Sequence, residues 1–401
     1  MDINKIRNDF PLLSNIEQPF VYLDNGATTQ KPKMVIDRLN QYYLYENSNI
    51  HRGNYLLSSH ASRIYENARG TIQRWINARY MDEIVFTKGS TESINLVAAA
   101  AFETLIHSGD NVIVTELEHS SNFFPWKHRC EKNGVELRVA QAEKDGSLNA
   151  DLLLSLMDKR TKLVAVTAMS NVTGYRPELD RIIAEAHRNG VWVLVDASQE
   201  VVHHVISVQK MNCDFLCFSG HKLYGPMGIG ILYGKRNLLK EMPPYLYGGD
   251  MVEKGDRGEL PYKTEPGKYE AGTQNIAGAV GLEAAVSYLE EQDFDSLIRY
   301  ETELSSILKK RIKALPGIRV IGPDITAPVL AFEVEGLGAY DVGVLLANKG
   351  IAVRCGAHCA YPLMRRMEKE SICRISLAFY NTVEEIDYLA DVLQHICKRR
   401  I

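Results

Sequence analysis

Lys222 stands in an unusual place for a lysine. It follows the short apolar run Phe215 to Phe218 and the polar triplet Ser219-Gly220-His221, and it precedes a Gly-rich segment and a second apolar run, Ile229 to Tyr233. A lysine is ordinarily a solvated surface residue. Here Ser219 and His221 are donors suited to an anion, and the glycines allow backbone to come close to a ligand. Two readings fit: a lysine in water, or an amine stripped of enough solvent to be neutral and to attack an aldehyde cofactor such as pyridoxal phosphate. The upstream run Val191 to Val195, ending in Asp196, favours the second. It reads as a strand buried on both faces with a carboxylate at its carboxyl end, where open α/β sheets bind ligands. An acid there can keep a pyridine nitrogen protonated, so that the ring draws electrons. Alone, a strand-end Asp serves equally as a turn or cap residue.

Further residues with chemical potential sit at other strand ends. Glu83 to Thr87 runs into Lys88-Gly89-Ser90-Thr91, a strand, Gly turn and helix start whose free N–H groups and hydroxyls suit a phosphate, or merely cap the helix. His119, after the strand Asn111 to Thr115, can stack on a flat ring or be structural. Asn171, after the strand Leu163 to Ala168, can hydrogen-bond a ring hydroxyl, and Gln199 follows Asp196 closely enough to reach the same oxygen. In the last third, Cys359 follows a strand end in Val353-Arg354-Cys355-Gly356-Ala357-His358-Cys359-Ala360, a small-residue turn read as mobile. Beside His358, a nucleophilic thiol could be exposed and activated there. Arg374 opens the next strand and could fork onto a carboxylate. By type alone, the cysteine could be buried and the arginine solvated. His51 and Arg52 lie in a polar stretch read as an exposed or interfacial loop.

The elements that must position these groups follow from pattern. Strand, polar turn and helix alternate over roughly residues 80–235, as βαβ units do. A Pro- and Gly-rich loop extends from Pro243 to Pro266, and Glu270 to Asn275 precedes a helix over Ile276 to Glu290. Beyond it the pattern changes to a smaller α+β unit. It has a helix near Ser296 to Leu315, strands at Val329 to Val334, Ile351 to Arg354 and Cys373 to Phe379, and a closing helix. In that helix Thr382 and Glu385 are spaced as a capping box, and its end is Lys398-Arg399-Arg400. A chain of 401 residues is longer than one core usually grows. The expected division is an N-terminal arm over 1–20 packed on the small domain, a large domain over 21–290 and a small domain over 291–401.

Composition excludes some functions. A net charge of -4 without a basic block argues against a nucleic-acid surface. No apolar run approaches the length of a membrane span, and the first residues do not resemble a secretory signal, so a cytoplasmic protein is expected. No metal-ligand set is read. The cysteines, 7 in all, are expected as thiols: Cys213 and Cys217 as packing residues, and Cys355 either as packing or as a thiol that resolves an oxidised Cys359.

Taken together, Tyr22 to Pro32, His51-Arg52-Gly53, Gly89 to Asn95, Glu118-His119, Ser219 to Gly230, Glu270 to Asn275, Arg354 to Met364 and Arg374 resemble the cysteine desulfurases of the class V aminotransferase group, in particular the SufS-like branch. The resemblance implies an α/β fold of the fold-type I pyridoxal phosphate enzymes and a homodimer sharing its active sites. It also implies conversion of L-cysteine to L-alanine with sulfur passed to a SufE- or SufU-like acceptor, for iron–sulfur clusters or other sulfur biosynthesis. It gives Lys222 the covalent cofactor link, Asp196 the pyridine nitrogen, Gln199 and Asn171 the ring oxygen and His119 the ring face. Ser90, Thr91, Ser219 and His221 then take the phosphate, joined by Thr273 from the other subunit. Arg374 binds the substrate carboxylate, with Asn171 beside it, and Cys359 accepts sulfur. Ala357 and Ser120 depart from the histidines usual there, and Asp-Ala-Ser-Gln replaces Asp-Gly-Ala-Gln. The other readings are a selenocysteine lyase or cysteine sulfinate desulfinase, an epimerase or aminotransferase relative, and a cofactor-binding partner of a sulfur-transfer protein that does not turn over.

Overall fold

A computed structural model describes residues 2–16, 20–51, 53–253 and 260–398. Arg52 and the terminal Arg399 and Arg400 lie outside the described residues. Two helices, Ile3–Asn8 and Pro11–Ser14, open the chain and lead to strand β1 (Val21–Tyr22). Seven described strands then build the large sheet: β2 (Ile84–Thr87), β3 (Asn111–Thr115), β4 (Glu136–Ala140), β5 (Thr161–Thr167), β6 (Trp192–Asp196), β7 (Phe215–Ser219) and β8 (Gly230–Gly234). Their order is β2-β8-β7-β6-β5-β3-β4, with β8 antiparallel to both neighbours and the remaining pairs parallel.

Both faces of this sheet are covered, which is why its strands read as continuous apolar runs. Ile113, Val164, Val166, Val193, Val195, Leu216 and Phe218 enter one buried cluster. The alternate residues Val112, Val114, Leu163, Ala165, Leu194, Phe215 and Cys217 enter another on the opposite face. Cys213 and Cys217 are buried packing residues, and burial pushes the Cys213 thiol up to about 12. Gly230 faces Thr87 across the β2/β8 pair, and a Cβ there would sit 2.4 Å from the Gly89 Cα. Only glycine lets the loop bearing Ser90 lie this close to β8.

A buried charge network ties helix Leu56–Trp75 to the edge of this sheet. The Arg69 guanidinium, on helix Leu56–Trp75, donates to Glu270 Oε1 at 2.7 Å, Glu270 Oε2 at 2.9 Å and the Ile84 carbonyl at 2.8 Å. Glu270 also accepts from the Tyr65 hydroxyl and the Phe86 N–H, both at 2.8 Å. Replacing Arg69 by alanine leaves Glu270 buried without its cation, a change expected to cost about 3–5 kcal/mol. Urea unfolding checks this, and a loss under about 1 kcal/mol would overturn it.

The last third of the chain holds β9 (Ile318–Ile321), β10 (Val329–Val334), β11 (Ile351–Ala352), β12 (Arg354–Gly356) and β13 (Ile372–Ser376). β12-β13-β10-β9 form an antiparallel sheet, whereas β11 pairs in parallel with β1. The single strand expected over Ile351 to Arg354 is therefore two, broken at Val353 where the chain changes partner. The half-exposed β9 carried no strand expectation. Val21 and Leu23, expected to open the large domain, pack with Leu304, Leu330, Ile375 and Leu389 in the core of this second sheet. The arm before them is tied to the same side, with Arg7 donating to the Tyr380 carbonyl at 2.9 Å and to Glu385 at 2.6 Å. Glu385 completes the capping box: its N–H reaches the Thr382 hydroxyl and its carboxylate accepts from the Thr382 N–H. Among the described residues, no helix is long and apolar enough to cross a membrane, and no cluster of His, Cys, Asp and Glu is suited to a metal.

Candidate active site

The carboxyl ends of β3, β5, β6 and β7 open into a cavity of roughly 430 Å³, closed on its other side by β12, β13 and the Cys359 loop. Of the residues singled out from the sequence, Ser90, Thr91, His119, Asn171, Asp196, Gln199, Ser219, His221, Lys222, Cys359 and Arg374 all line it. Thr273 does not. It is exposed and borders a separate groove with Tyr42, Tyr43 and Asn47.

Lys222 follows β7 in a turn held from outside. The Thr29 hydroxyl donates to the Lys222 carbonyl at 3.0 Å, and the Lys31 ammonium donates to the His221 carbonyl at 2.7 Å. Burial lowers the Lys222 amine to about 8, against the partial support of Asp196, and lowers Lys31 to about 7. Asp196 is buried at the end of β6, and its Oδ1 accepts from the Ser198 N–H at 3.0 Å and hydroxyl at 2.6 Å. One carboxylate oxygen is thereby fixed, and the group is oriented.

His119 caps helix Ser120–Asn133, its Nδ1 accepting from the Ser121 N–H at 3.1 Å. Burial, and then the Lys222 charge, lower its pKa to about 4, so the ring is neutral. Behind it lies Glu118, fully buried, accepting from Thr115 at 2.7 Å, Asn122 at 2.6 Å and the Thr167 N–H at 3.0 Å. Burial raises this acid to about 8. At the start of helix Ser90–Thr104, the Ser219 hydroxyl accepts from the Ser90 N–H at 2.9 Å, and the Thr91 hydroxyl pairs with Ser121 at 2.8 Å. The His221 Nδ1 is buried without a partner among the described residues.

Both amides are partly engaged within the protein. Gln199 donates to the Gly26 carbonyl at 2.9 Å and Asn171 to the His358 carbonyl at 2.9 Å, each retaining a second amide hydrogen. Arg374 is buried, donating to the Asn171 carbonyl at 2.8 Å and to Asp24 at 3.1 Å, while its Nε has no partner among the described residues. Asp24 also binds Arg354 at 3.0 Å. Asp24, Arg354, Ser198, Lys31 and Glu118 were assigned no site role from the sequence. Their only signal was position beside a strand end or a quoted motif.

Cys359 is exposed, and it and His358 both occupy the left-handed region, with φ of 54° and 52°. Two such non-glycine residues in succession are costly and persist only where the surroundings fix them. They are fixed through their carbonyls. Asn171 holds that of His358, and the Ser120 N–H and hydroxyl hold that of Cys359 at 2.7 and 2.8 Å. The turn read as mobile is thus fastened, and Ser120, noted only as a departure from pattern, is one of its fasteners. The His358 ring turns inward, its Nε2 3.1 Å from the Ile372 carbonyl, and burial drops its pKa to about 3.

This donor set fits pyridoxal phosphate. The low-lying amine, the oriented carboxylate, the neutral imidazole and a hydroxyl cup with an orphaned imidazole nitrogen supply a partner for each polar part of that molecule.

Similarity to known proteins agrees. The family model described as Aminotransferase class-V matches residues 21–389. The chain is 43% identical to a cysteine desulfurase of Enterobacter sp. (strain 638), over 98% of both chains. It is 45% identical to one of Cronobacter sakazakii, over 96% of both. Among solved structures, the cysteine desulfurase CsdA of Escherichia coli superposes with a TM-score of 0.92 at 36% identity, and that of Thermococcus onnurineus NA1 with 0.94 at 34%, each covering 99% of both chains. With this identity sustained along nearly its whole length, on a fold whose strand ends gather these groups, the chain belongs to the class-V aminotransferase family.

Proposed function

We propose that this protein is a pyridoxal phosphate-dependent L-cysteine desulfurase. The observation that carries the reading is one cavity lined by Lys222, Asp196 and Arg374 on its walls and by an exposed cysteine on a fastened loop. Lys222 would bind the cofactor, Asp196 its ring nitrogen, and Asn171 and Gln199 its ring oxygen. His119 would cover its face, and Ser90, Thr91, Ser219 and His221 would take its phosphate. When bound, the cofactor supplies an electron sink that acidifies the substrate's α-carbon.

The chain's own groups supply the rest. Arg374, already anchored by Asp24 and the Asn171 carbonyl, has its free Nε for the substrate carboxylate. Its replacement by lysine removes that N–H together with the two ties that aim it, and is expected to raise KM about tenfold or more with a smaller change in kcat. An unchanged KM for L-cysteine would overturn that role. Lys222 Nζ takes and returns the α-proton. The Cys359 sulfur attacks the substrate sulfur, so that an S–S bond forms as the C–S bond breaks. In balance, L-cysteine and the Cys359 thiol give L-alanine and the Cys359 persulfide.

Intact mass after incubation of the cofactor-loaded protein with L-cysteine tests the reading, with alanine quantified alongside. One added sulfur on Cys359 with matching alanine is expected, and neither appearing would sink it.

Tyr340 and Tyr361, 65% and 60% exposed beside the thiol, support a protein acceptor of the SufE or SufU type docking there. Failure of such proteins to take labelled sulfur would exclude them. The chain is a homodimer on this reading. Leu56 and Tyr45 are 91% and 75% exposed, and Tyr43 borders the groove that holds Thr273, so one apolar face would deliver Thr273 to the neighbouring cavity. A single-chain mass by light scattering would contradict it. The buried free thiols Cys130, Cys213 and Cys217 and the exposed Cys359 suit a cytoplasmic setting; a fluorescent fusion found outside the cytoplasm would refute this.

A further inference from the structure

A second pair of sulfur atoms lies next to this site and takes no part in the chemistry above. Cys355 on β12 and Cys373 on β13 are direct partners across the antiparallel pair, and their Sγ atoms are 3.6 Å apart. The preceding cross-strand pair is Arg354 and Arg374, and the chain leaves β12 directly into the loop carrying Cys359. We propose that Cys355 and Cys373 form a reversible disulfide, driven by a low-molecular-weight disulfide, that ties the root of the Cys359 loop to the strand bearing Arg374.

Burial assigns the order of events. Cys373 is fully buried in the core of the second sheet, whereas Cys355 is half-buried on a three-residue strand at the sheet edge. The Cys355 thiolate attacks one sulfur of the small disulfide, expelling one small thiol and leaving a mixed disulfide. Cys373 gives up its proton and attacks the Cys355 sulfur, expelling the second small thiol. Two protein thiols lose two electrons, and one small disulfide becomes two thiols. The contact between the two sulfurs supports this order, since it holds the Cys355 thiol below its ordinary value and raises that of Cys373.

Closure shortens 3.6 Å to about 2.05 Å, a movement of about 1.5 Å. Cys373, packed between neighbours, stays in place, and the short edge strand moves toward it. The displaced strand is the one that leads to Cys359. Since L-cystine is such a disulfide and L-cysteine its reduced form, the pair would answer to the oxidation state of the substrate inferred above.

The test is mapping of the full-length, cofactor-loaded protein after treatment with oxidised glutathione or L-cystine and denaturing alkylation. Cys355 and Cys359 share the tryptic peptide 355–365, and Cys373 lies in 370–374, so Cys359→Ser is mapped in parallel to make the assignment unique. In that variant the two peptides are expected joined in most of the protein, released by dithiothreitol, and never joined when Cys355→Ser is added. Alkylation of both thiols would overturn the proposal. So would a stable mixed disulfide on Cys355 with Cys373 alkylated, or a 355–359 link in the unmodified protein. No outcome requires turnover, so a failure here is separate from a failure of the desulfurase reading.

Discussion

Lys222→Ala is expected to abolish alanine formation from L-cysteine, a loss of about a thousandfold or more, while leaving the fold intact. A single proton-transferring side chain contributes about 10²–10⁴-fold, and Lys222 has the covalent link to lose as well. The turn survives because its ties are to backbone. Thr29 and Lys31 grip the carbonyls of Lys222 and His221, and the Tyr224 N–H rests on the Thr29 hydroxyl. Circular dichroism like that of the parent with no alanine produced confirms this, and turnover within tenfold of the parent refutes it. The same residue sets a pH dependence. Its folded value is lowered to about 8, so the neutral amine is scarce at pH 7 and dominant by pH 9. Uptake of pyridoxal phosphate by the apo protein should accelerate about fivefold from pH 7 to 8 and about twofold more by pH 9. An ordinary lysine would still be accelerating above pH 9. Absorbance of the cofactor on the protein follows the rate.

Cys359→Ala is the second large effect. It removes the only exposed thiol among the cavity-lining residues, and with it the atom that receives sulfur. Persulfide should vanish, and alanine production from L-cysteine should fall at least about a hundredfold. Cofactor uptake should be unaltered, because the groups proposed to hold the cofactor lie on the other wall. Selenocysteine separates the rival lyase: its C–Se bond demands less of the thiol. A variant that consumes selenocysteine as fast as the parent, when the parent itself prefers it to cysteine, would move the assignment to that activity.

The groups that could be found in the sequence are those whose neighbours in space are also neighbours in the chain. Asp196 and Lys222 end apolar runs, and a strand followed by a polar residue marks the rim of an α/β sheet whatever the rest of the fold does. The ties that complete the site are long-range. Asp24 meets Arg374 across 350 residues, and Ser120 meets the Cys359 carbonyl across 239. No local pattern encodes either. The break at Val353 escaped for a similar reason. Its flanks are equally suited to strand, and only the arrival of β1 on one side and β13 on the other divides them. His358 misleads by type, since a histidine beside a cysteine suggests thiol activation until its ring is placed against Ile372.

The pairing of β1 with β11 also bears on how the protein can be cut. Residues 291–401 look like a self-contained unit, yet their core lacks Val21 and Leu23, and their Arg374 lacks Asp24, until the N-terminal segment arrives. This core is therefore drawn from two distant stretches of the chain. Expressed alone, the C-terminal stretch would expose an unpaired β11 and a buried arginine without its carboxylate. A peptide covering residues 20–30, supplied in trans, is the complement that would restore it.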